Sequence, residues 1–292
     1  MAEKGGEVVC LNRKSQRVTD SITKLQEAVP GGKFVNIECD LQDFASVKKA
    51  AAEIISKYPK GIYCLSCNAG IMMTPDEATK DGCDTQMQTN HLSHFLLTKE
   101  LMALLEKQAE ATGDARVVYH SSDARTMTKN GLEKKYLEKN GGNLGGESRS
   151  ILLGGARVIR YAQSKLANSV MMYVLHEKLQ VKTPQSKVRV CAAHPGGSAT
   201  NLGDDLDLPW IESFFMKYVV AKFLMQSAED GAMGLLVGMM SPEAKSGVLY
   251  GPSGVMSGPA VPIPLKKYET DPETMKMLWE TSEESTGVKF VV

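Results

Sequence analysis

Gly61-Ile62-Tyr63-Cys64-Leu65-Ser66 is a short apolar run that leads into the turn Asn68-Ala69-Gly70. A helical pattern follows from about Asp84 to Ala109, and then a second apolar run, Ala115-Arg116-Val117-Val118-Tyr119-His120. Strand, helix and strand in that order make parallel neighbours, because a helical crossover is what returns the chain to the same end of a sheet. The alternation extends both ways. Upstream, Glu7 to Leu11 and Lys33 to Cys39 read as strands, separated by a helix from Ser15 to Val29 that Pro30-Gly31-Gly32 closes. Asp43 to Tyr58 carries Phe44, Val47, Ala51, Ile54 and Ile55 at helical spacing. Downstream, Arg157 to Leu179 is a long helix, Lys187 to Ala193 a strand, and Gly247-Val248-Leu249-Tyr250 the last strand expected. The stretch from Ser122 to Gly155 is polar and rich in glycine and asparagine, so a long excursion is expected there. The fold class is therefore α/β, a parallel sheet covered by helices on both faces. No tandem repeat or composition break divides the chain, and a single domain over 1–292 is expected.

Composition narrows the function classes. The chain has 292 residues with 34 basic and 34 acidic side chains, and this balance argues against a nucleic-acid partner, whose phosphates call for a basic excess. Hydrophobic residues at 42% and charged residues at 23% suit a packed globular protein with a sizeable core. Six cysteines are too few for a disulfide scaffold, and no apolar leader precedes them, so reduced thiols and a cytoplasmic location are the default expectation. No run is long and apolar enough to span a membrane.

The residues that carry chemistry cluster where the strands end. Tyr161-Ala162-Gln163-Ser164-Lys165 lies on the expected Arg157–Leu179 helix, with Tyr161 and Lys165 four apart on one face. A neighbouring ammonium favours a phenolate, so Lys165 is expected to lower the Tyr161 pKa into the range useful for proton transfer. Alone, the pair would pass for an ordinary surface pair. It is joined by Ser121-Ser122 at the carboxyl end of a strand, by Asn68-Ala69-Gly70 at the end of another, and by Pro195-Gly196 with Thr200 after a third. Asn90 lies in an otherwise apolar helix and reads either as functional or as a surface or capping amide.

In order and spacing these pieces resemble the short-chain dehydrogenase/reductase family, from about Gly5 to Tyr250. Tyr161-Ala-Gln-Ser-Lys-Leu-Ala-Asn168 is similar to the retinol-dehydrogenase-like and WW-domain-oxidoreductase-like branch. Light-dependent protochlorophyllide reductases also carry a long segment before the tyrosine, but have cysteine where this chain has Ala167. The resemblance implies a Rossmann-type, doubly wound parallel sheet. It implies Tyr161 as the acid/base, Lys165 on the nicotinamide ribose, Ser122 on the substrate oxygen and Asn90 in a proton relay. It places Asp40, Leu41, Asn68, Ala69 and Gly70 on the adenosine side of a nicotinamide cofactor, and Pro195, Gly196 and Thr200 at its carboxamide. Arg13 stands where relatives hold the 2′-phosphate, with neutral Asn12 beside it, so NADP is expected over NAD. The implied reaction moves a hydride between NADP(H) and an alcohol, ketone or aldehyde.

One element of the family pattern is not found: the glycine-rich turn after the first strand that receives the pyrophosphate. It would precede Met1, so the sheet is expected to lack its first strand and phosphate-binding loop, and the chain reads as N-terminally incomplete. The strand would lie between Glu7–Leu11 and Gly61–Ser66, whose edges are expected either to stand open or to close on each other in a new register, with poor stability and weak cofactor binding. The glycines at 141–146 and 251–258 read as loops, the second because prolines oppose a following helix. The alternative function is a non-catalytic truncated isoform or pseudoenzyme that binds a partner along its open sheet edge.

Remaining signals are weaker. Cys64-Leu65-Ser66-Cys67 has redox spacing but runs along a strand, so core cysteines are expected and no metal site. His91 and His94 read as packing or surface histidines. Residues 123–156 are expected as an insertion before the catalytic helix. Residues 203–230, with Trp210 to Val220, are expected as a substrate lid whose apolar character suits a retinoid-, steroid- or lipid-like molecule, though a core helix or a homo-oligomer contact would use the same residues.

Overall fold

The computed structural model describes residues 1–128, 130–151, 153–182, 186–197, 226–254 and 256–292. Two expectations, Thr200 and the lid over 203–225, fall outside the described residues. Strands β1 (Glu7–Asn12) and β2 (Lys33–Glu38) are joined by α1 (Gln16–Ala28). Then come α2 (Phe44–Lys57), β3 (Cys64–Cys67) and a composite helix α3, made of Thr85–Met87, a π-helical turn Gln88–Leu92 and Ser93–Thr112. β4 (Ala115–His120) leads through the short helix α4 (Lys134–Leu137) to α5 (Ala156–Lys182). The chain ends with β5 (Val188–Ala193), α6 (Ala228–Met240), β6 (Val248–Pro252), β7 (Ala260–Ile263) and α7 (Pro272–Thr286).

Side-chain alternation along the central strands divides the core. Val117 and Tyr119 of β4 and Val190 and Ala192 of β5 pack into the larger cluster with the apolar faces of α2, α3, α5 and α7. Val118, Cys191 and Ala193 face the other way, in a smaller cluster with Tyr250 and α6. This period of two is what a strand imposes, and it makes the sheet apolar on both faces. Gly234 and Gly238 let α6 lie close on it. A Cβ at Gly238 would stand 3.1 Å from Val118 Cγ1 and 3.3 Å from Cys191 Cβ. The buried Arg116 then closes the far end of α6, donating from Nη1 to the carbonyls of Gly238 and Ser241 at 3.1 and 2.8 Å.

The sheet is in two parts. β1 and β2 pair in parallel, and β3, β4, β5 and β6 form a second parallel ladder to which β7 adds antiparallel. Among the described residues no ladder joins β1 to β3, so the edges flanking the expected gap stand open and do not close in a new register.

Two sequence expectations need correction. The strand at 248–252 is not the last. β7 follows it, and Pro262 is tolerated because β7 is an edge strand with one side unpaired. The strand expected over Gly61–Ser66 is shorter and later, because Gly61 has φ 128° and sits against the backbone of α3. The glycines at 141–146 do form a loop. Its backbone N–H groups at Leu144 and Gly146 receive the Asp76 carboxylate at 2.8 Å each, so an internal anion occupies this cradle.

Candidate active site

The turns of the site follow the carboxyl ends of parallel strands, and Asn90 of α3 and Tyr161 and Lys165 of α5 join them from helices. After β1 comes Arg13, exposed, with Asn12 donating to the Asn36 carboxamide at 3.0 Å. After β2 comes Asp40, whose carboxylate closes a turn on the Gln42 N–H at 2.9 Å. Cys39 N–H donates to the Asn12 carbonyl, holding these two turns side by side. The Leu41 carbonyl accepts from Ser93 at 2.6 Å, which ties this turn to the start of the straight part of α3.

Asn90 sits in the π-helical turn and is fully buried, which rules out a surface amide. Its side chain imitates a peptide: Oδ1 accepts from Ile71 N–H at 2.8 Å, and Nδ2 donates to the Ile71 carbonyl at 2.9 Å. Nδ2 also donates to Ser164 Oγ at 2.8 Å. The amide therefore fixes the end of the turn Asn68-Ala69-Gly70 against α5. This proximity favours glycine at 70, since a Cβ there would stand 3.1 Å from both Asn90 Oδ1 and Lys165 Nζ. Asn68 and Ala69 are exposed beside it, and the Asn68 side chain meets His120 Nδ1 at 2.9 Å.

Tyr161 and Lys165 share one face of α5, with Nζ 5.7 Å from the phenol ring centre. Both are buried, at 6% and 3% exposure. Lys165 Nζ donates to the His120 carbonyl at 3.1 Å, and burial pulls its pKa down to about 8. Burial pushes the Tyr161 phenol up to about 12, opposed by the polar influence of the Ser122 hydroxyl. This corrects the expectation that Lys165 brings the phenol down. The phenol is shut away from water, and the ammonium is drawn to a backbone carbonyl. Ser122 Oγ also caps the 3₁₀ turn Asp123–Met127 by accepting from Ala124 N–H at 3.2 Å. Its neighbour Ser121 points inward and donates to the Lys165 carbonyl at 2.8 Å.

After β5 come His194, Pro195 and Gly196. The Pro195 carbonyl accepts from the Gln226 side chain at 2.6 Å. Gly196 has φ 63° and a Cβ there would meet the Met256 carbonyl at 2.5 Å, so only glycine fits. Residues 226–230 of the segment expected as a lid are the lead into α6 and its first turn. A cavity of about 430 Å³ lies at the start of α5, against Tyr136, Leu144, Ala156 and Ile159, and does not reach Tyr161, Ser122 or Lys165.

Several participants are not evident from sequence. Asn168 Nδ2 donates to the carbonyls of Asn90 and His120, at 2.9 and 3.0 Å, and Oδ1 meets His91 Nδ1 at 3.2 Å. Because Nδ2 faces two acceptors, Oδ1 must receive the His91 Nδ1–H, and His91 Nε2 must accept from Ser282 at 3.0 Å. Asn168 thus links the carbonyls of Asn90 and His120, the second of them also bonded by Lys165, to α7 through His91 and Ser282. One signal for it was available, the Lys-Leu-Ala-Asn run one helical turn past Lys165.

The profile of the family described as short chain dehydrogenase matches residues 1–133. An uncharacterized oxidoreductase of Schizosaccharomyces pombe is 32% identical over 257 residues, covering 86% of this chain and 70% of the relative. The chain belongs to the short-chain dehydrogenase family. Human retinol dehydrogenase 14 is 30% identical over 257 residues, covering 88% of this chain and 68% of that protein. Among solved structures, an uncharacterized protein of Mycobacterium Paratuberculosis aligns over all of this chain and 88% of its own, at 28% identity with a TM-score of 0.71. Membership makes this chain one of a family of oxidoreductases with a Rossmann-type α/β fold, on its retinol-dehydrogenase-like side. No described helix is long and apolar enough to cross a membrane.

Proposed function

We propose that this short-chain dehydrogenase moves a hydride between NADP(H) and a carbonyl or alcohol on a bulky apolar molecule. The observation that carries the reading is the meeting of Ser122, at the end of β4, with the buried Tyr161 and Lys165 of α5, whose Nζ bonds the His120 carbonyl. Tyr161 Oη gives a proton to the substrate oxygen or takes one from it, and the Ser122 hydroxyl bonds the same oxygen and holds its developing charge. Lys165 Nζ is close enough to the Gly70 turn to hold a ribose there, and Asn90 keeps that turn in place for the relay.

The residues present fit the two ends of a dinucleotide. Gly70 is assigned with Asn68 and Ala69 to the adenosine and ribose side, where the lack of a Cβ lets the turn lie close to Asn90 and Lys165. Pro195 and Gly196, with Thr200, are assigned to the carboxamide. Asp40, Leu41, Asn68 and Ala69 are assigned to the adenosine, and Arg13 to a 2′-phosphate, which selects NADP. Between these ends, no strand among the described residues runs into a glycine turn and a helix N-terminus to receive the pyrophosphate. When bound, the nicotinamide supplies or accepts the hydride. The substrate class follows from the apolar segment at 210–220 and from the retinol named in a relative.

The test is NADPH binding by fluorescence titration, followed by NADPH-dependent reduction of an apolar aldehyde such as retinal. Tyr161→Phe is expected to keep the binding and lose turnover by at least about 10²-fold. Equal turnover by both forms would overturn the role of Tyr161. No NADPH binding would favour the second reading, an interaction protein using the open edges of β1 and β3, which the unjoined sheet supports.

A further inference from the structure

The geometry points to Arg125, held by Glu269, as a positioning residue that sets the Ser122 hydroxyl against Tyr161; this rests on the proton-transfer reading of that pair. Glu269 lies in the 3₁₀ turn Lys267–Glu269 just before α7 and is fully buried. Its Oε1 accepts from Arg125 Nε at 3.1 Å and from the Ser169 hydroxyl at 2.6 Å, while Oε2 accepts from Lys266 N–H at 2.6 Å. Ser169 lies on α5 beyond Tyr161 and Lys165. One carboxylate therefore holds both the catalytic helix and the guanidinium.

Arg125 passes the constraint on. Its Nη1 donates to Asp123 Oδ1 at 2.9 Å and to the Ser122 carbonyl at 3.4 Å. Ser122 is thus held at its carbonyl by Arg125, while its hydroxyl caps Ala124 N–H on the side of the turn that faces Tyr161. On the other side, Asp123 Oδ1 lies 3.6 Å from His194 Nε2, and His194 Nδ1 accepts from Gly196 N–H at 3.2 Å. The chain of polar groups runs from the start of α7 through the turn after β4 to the turn after β5. A buried ion pair of this kind often adds little net stability over apolar packing of similar volume, so its contribution here is direction. The guanidinium fork aims two bonds at fixed angles, from Nε to Glu269 and from Nη1 to the Ser122 turn, which an ammonium cannot reproduce.

Two variants of the full chain test this. Glu269→Gln keeps the shape and removes the charge; Arg125→Lys keeps the charge and removes the fork. In both, kcat for NADPH-dependent aldehyde reduction is expected to fall at least about tenfold, with KM within about twofold of wild type. The alkaline limb of the kcat profile is expected to move to higher pH, because a displaced Ser122 hydroxyl no longer opposes the effect of burial on Tyr161. Amide exchange in Asp123–Met127 of the unliganded chain is expected to quicken while the amides around Tyr161 stay protected. A role in stability alone would lower Tm and leave kcat per folded molecule and the pH limb unchanged, which overturns the inference. A wild-type chain without turnover would sink the proton-transfer reading instead. Amide exchange then decides: faster exchange in the turn supports the positioning role and unaltered exchange overturns it. If Glu269→Gln does not fold, Arg125→Lys carries the same readouts.

Discussion

At the scale of single residues, the site is held together by amides and backbone carbonyls more than by charges. Asn168 shows this most directly. Its Nδ2 meets two carbonyls, and its Oδ1 is the partner that fixes the His91 tautomer. Asn168→Ala leaves the carbonyl of His120 with Lys165 as its remaining donor and strips His91 Nδ1 of its acceptor. A buried polar group left without a partner costs about 1–3 kcal/mol. Asn168→Ala is therefore expected to lower unfolding stability by an amount in that range, read from urea denaturation, and a variant as stable as wild type would contradict the assignment. Asn168→Asp should be worse, because a carboxylate would face two carbonyl oxygens. The position of Ser122 at a strand end and of Tyr161 and Lys165 on one helix face was legible from the sequence, whereas Asn90 stood out only through the family resemblance. The reversal of the expected Tyr161 shift was not legible. Spacing shows that an ammonium is near, but not that water is excluded from both groups, and here burial outweighs the charge. Glu269 gave no sequence signal at all, because its partner Arg125 is distant in the chain and the two meet only through folding.

At the scale of elements, the alternation of apolar runs and helical spacing was enough to locate β1, β2, β4 and β5 and the helices between them. It failed where the backbone departs from regular repeats. The π-helical turn Gln88–Leu92 gives Asn90 its place and exposes its carbonyl to Asn168 and His94, yet the pattern of side chains there still reads as one helix. β7 was missed because its prolines argue against a strand unless the strand is at an edge. The open edges are the feature with the clearest physical consequence. β4 has a bonded neighbour on each side, whereas β1 and β3 each have one. A two-stranded unit is marginal by itself and depends on the helices packed on it. Amides of β1 and β2 are therefore expected to exchange with solvent orders of magnitude faster than those of β4 and β5, measured by hydrogen exchange on the unliganded chain. Uniform protection across all four strands would show that the two ladders open as one unit.

At the scale of the whole molecule, buried titratable groups make stability depend on pH in a direction that can be worked out. Burial holds His91 down to about 3 and His94 down to about 4, and both are closed off from solvent. In the unfolded chain each takes up a proton as pH falls through about 6.5, while the folded form does not until far lower. The unfolded state binds more protons in that window, so stability falls as pH falls, by about 1.4 kcal/mol per pH unit for each histidine. Asp84 acts the other way. Burial raises its carboxyl to about 6 despite the buried Arg160 guanidinium beside it at 3.2 Å. Its contribution to stability is fully present below about 3.8 and is lost as pH rises through about 6, so it offsets one histidine between those values. His120, which burial also holds down to about 3, adds to the histidine side, so urea denaturation at pH 7, 5.5 and 4.5 should show stability falling as pH falls below 6, the buried histidines outweighing Asp84. Asp84→Asn removes the opposing proton and should make the slope steeper by one more proton in the same window. A variant whose slope matches wild type would show that Asp84 is ionised in the folded protein at pH 5, held so by Arg160. That outcome would place a full buried ion pair one residue from Tyr161 on α5.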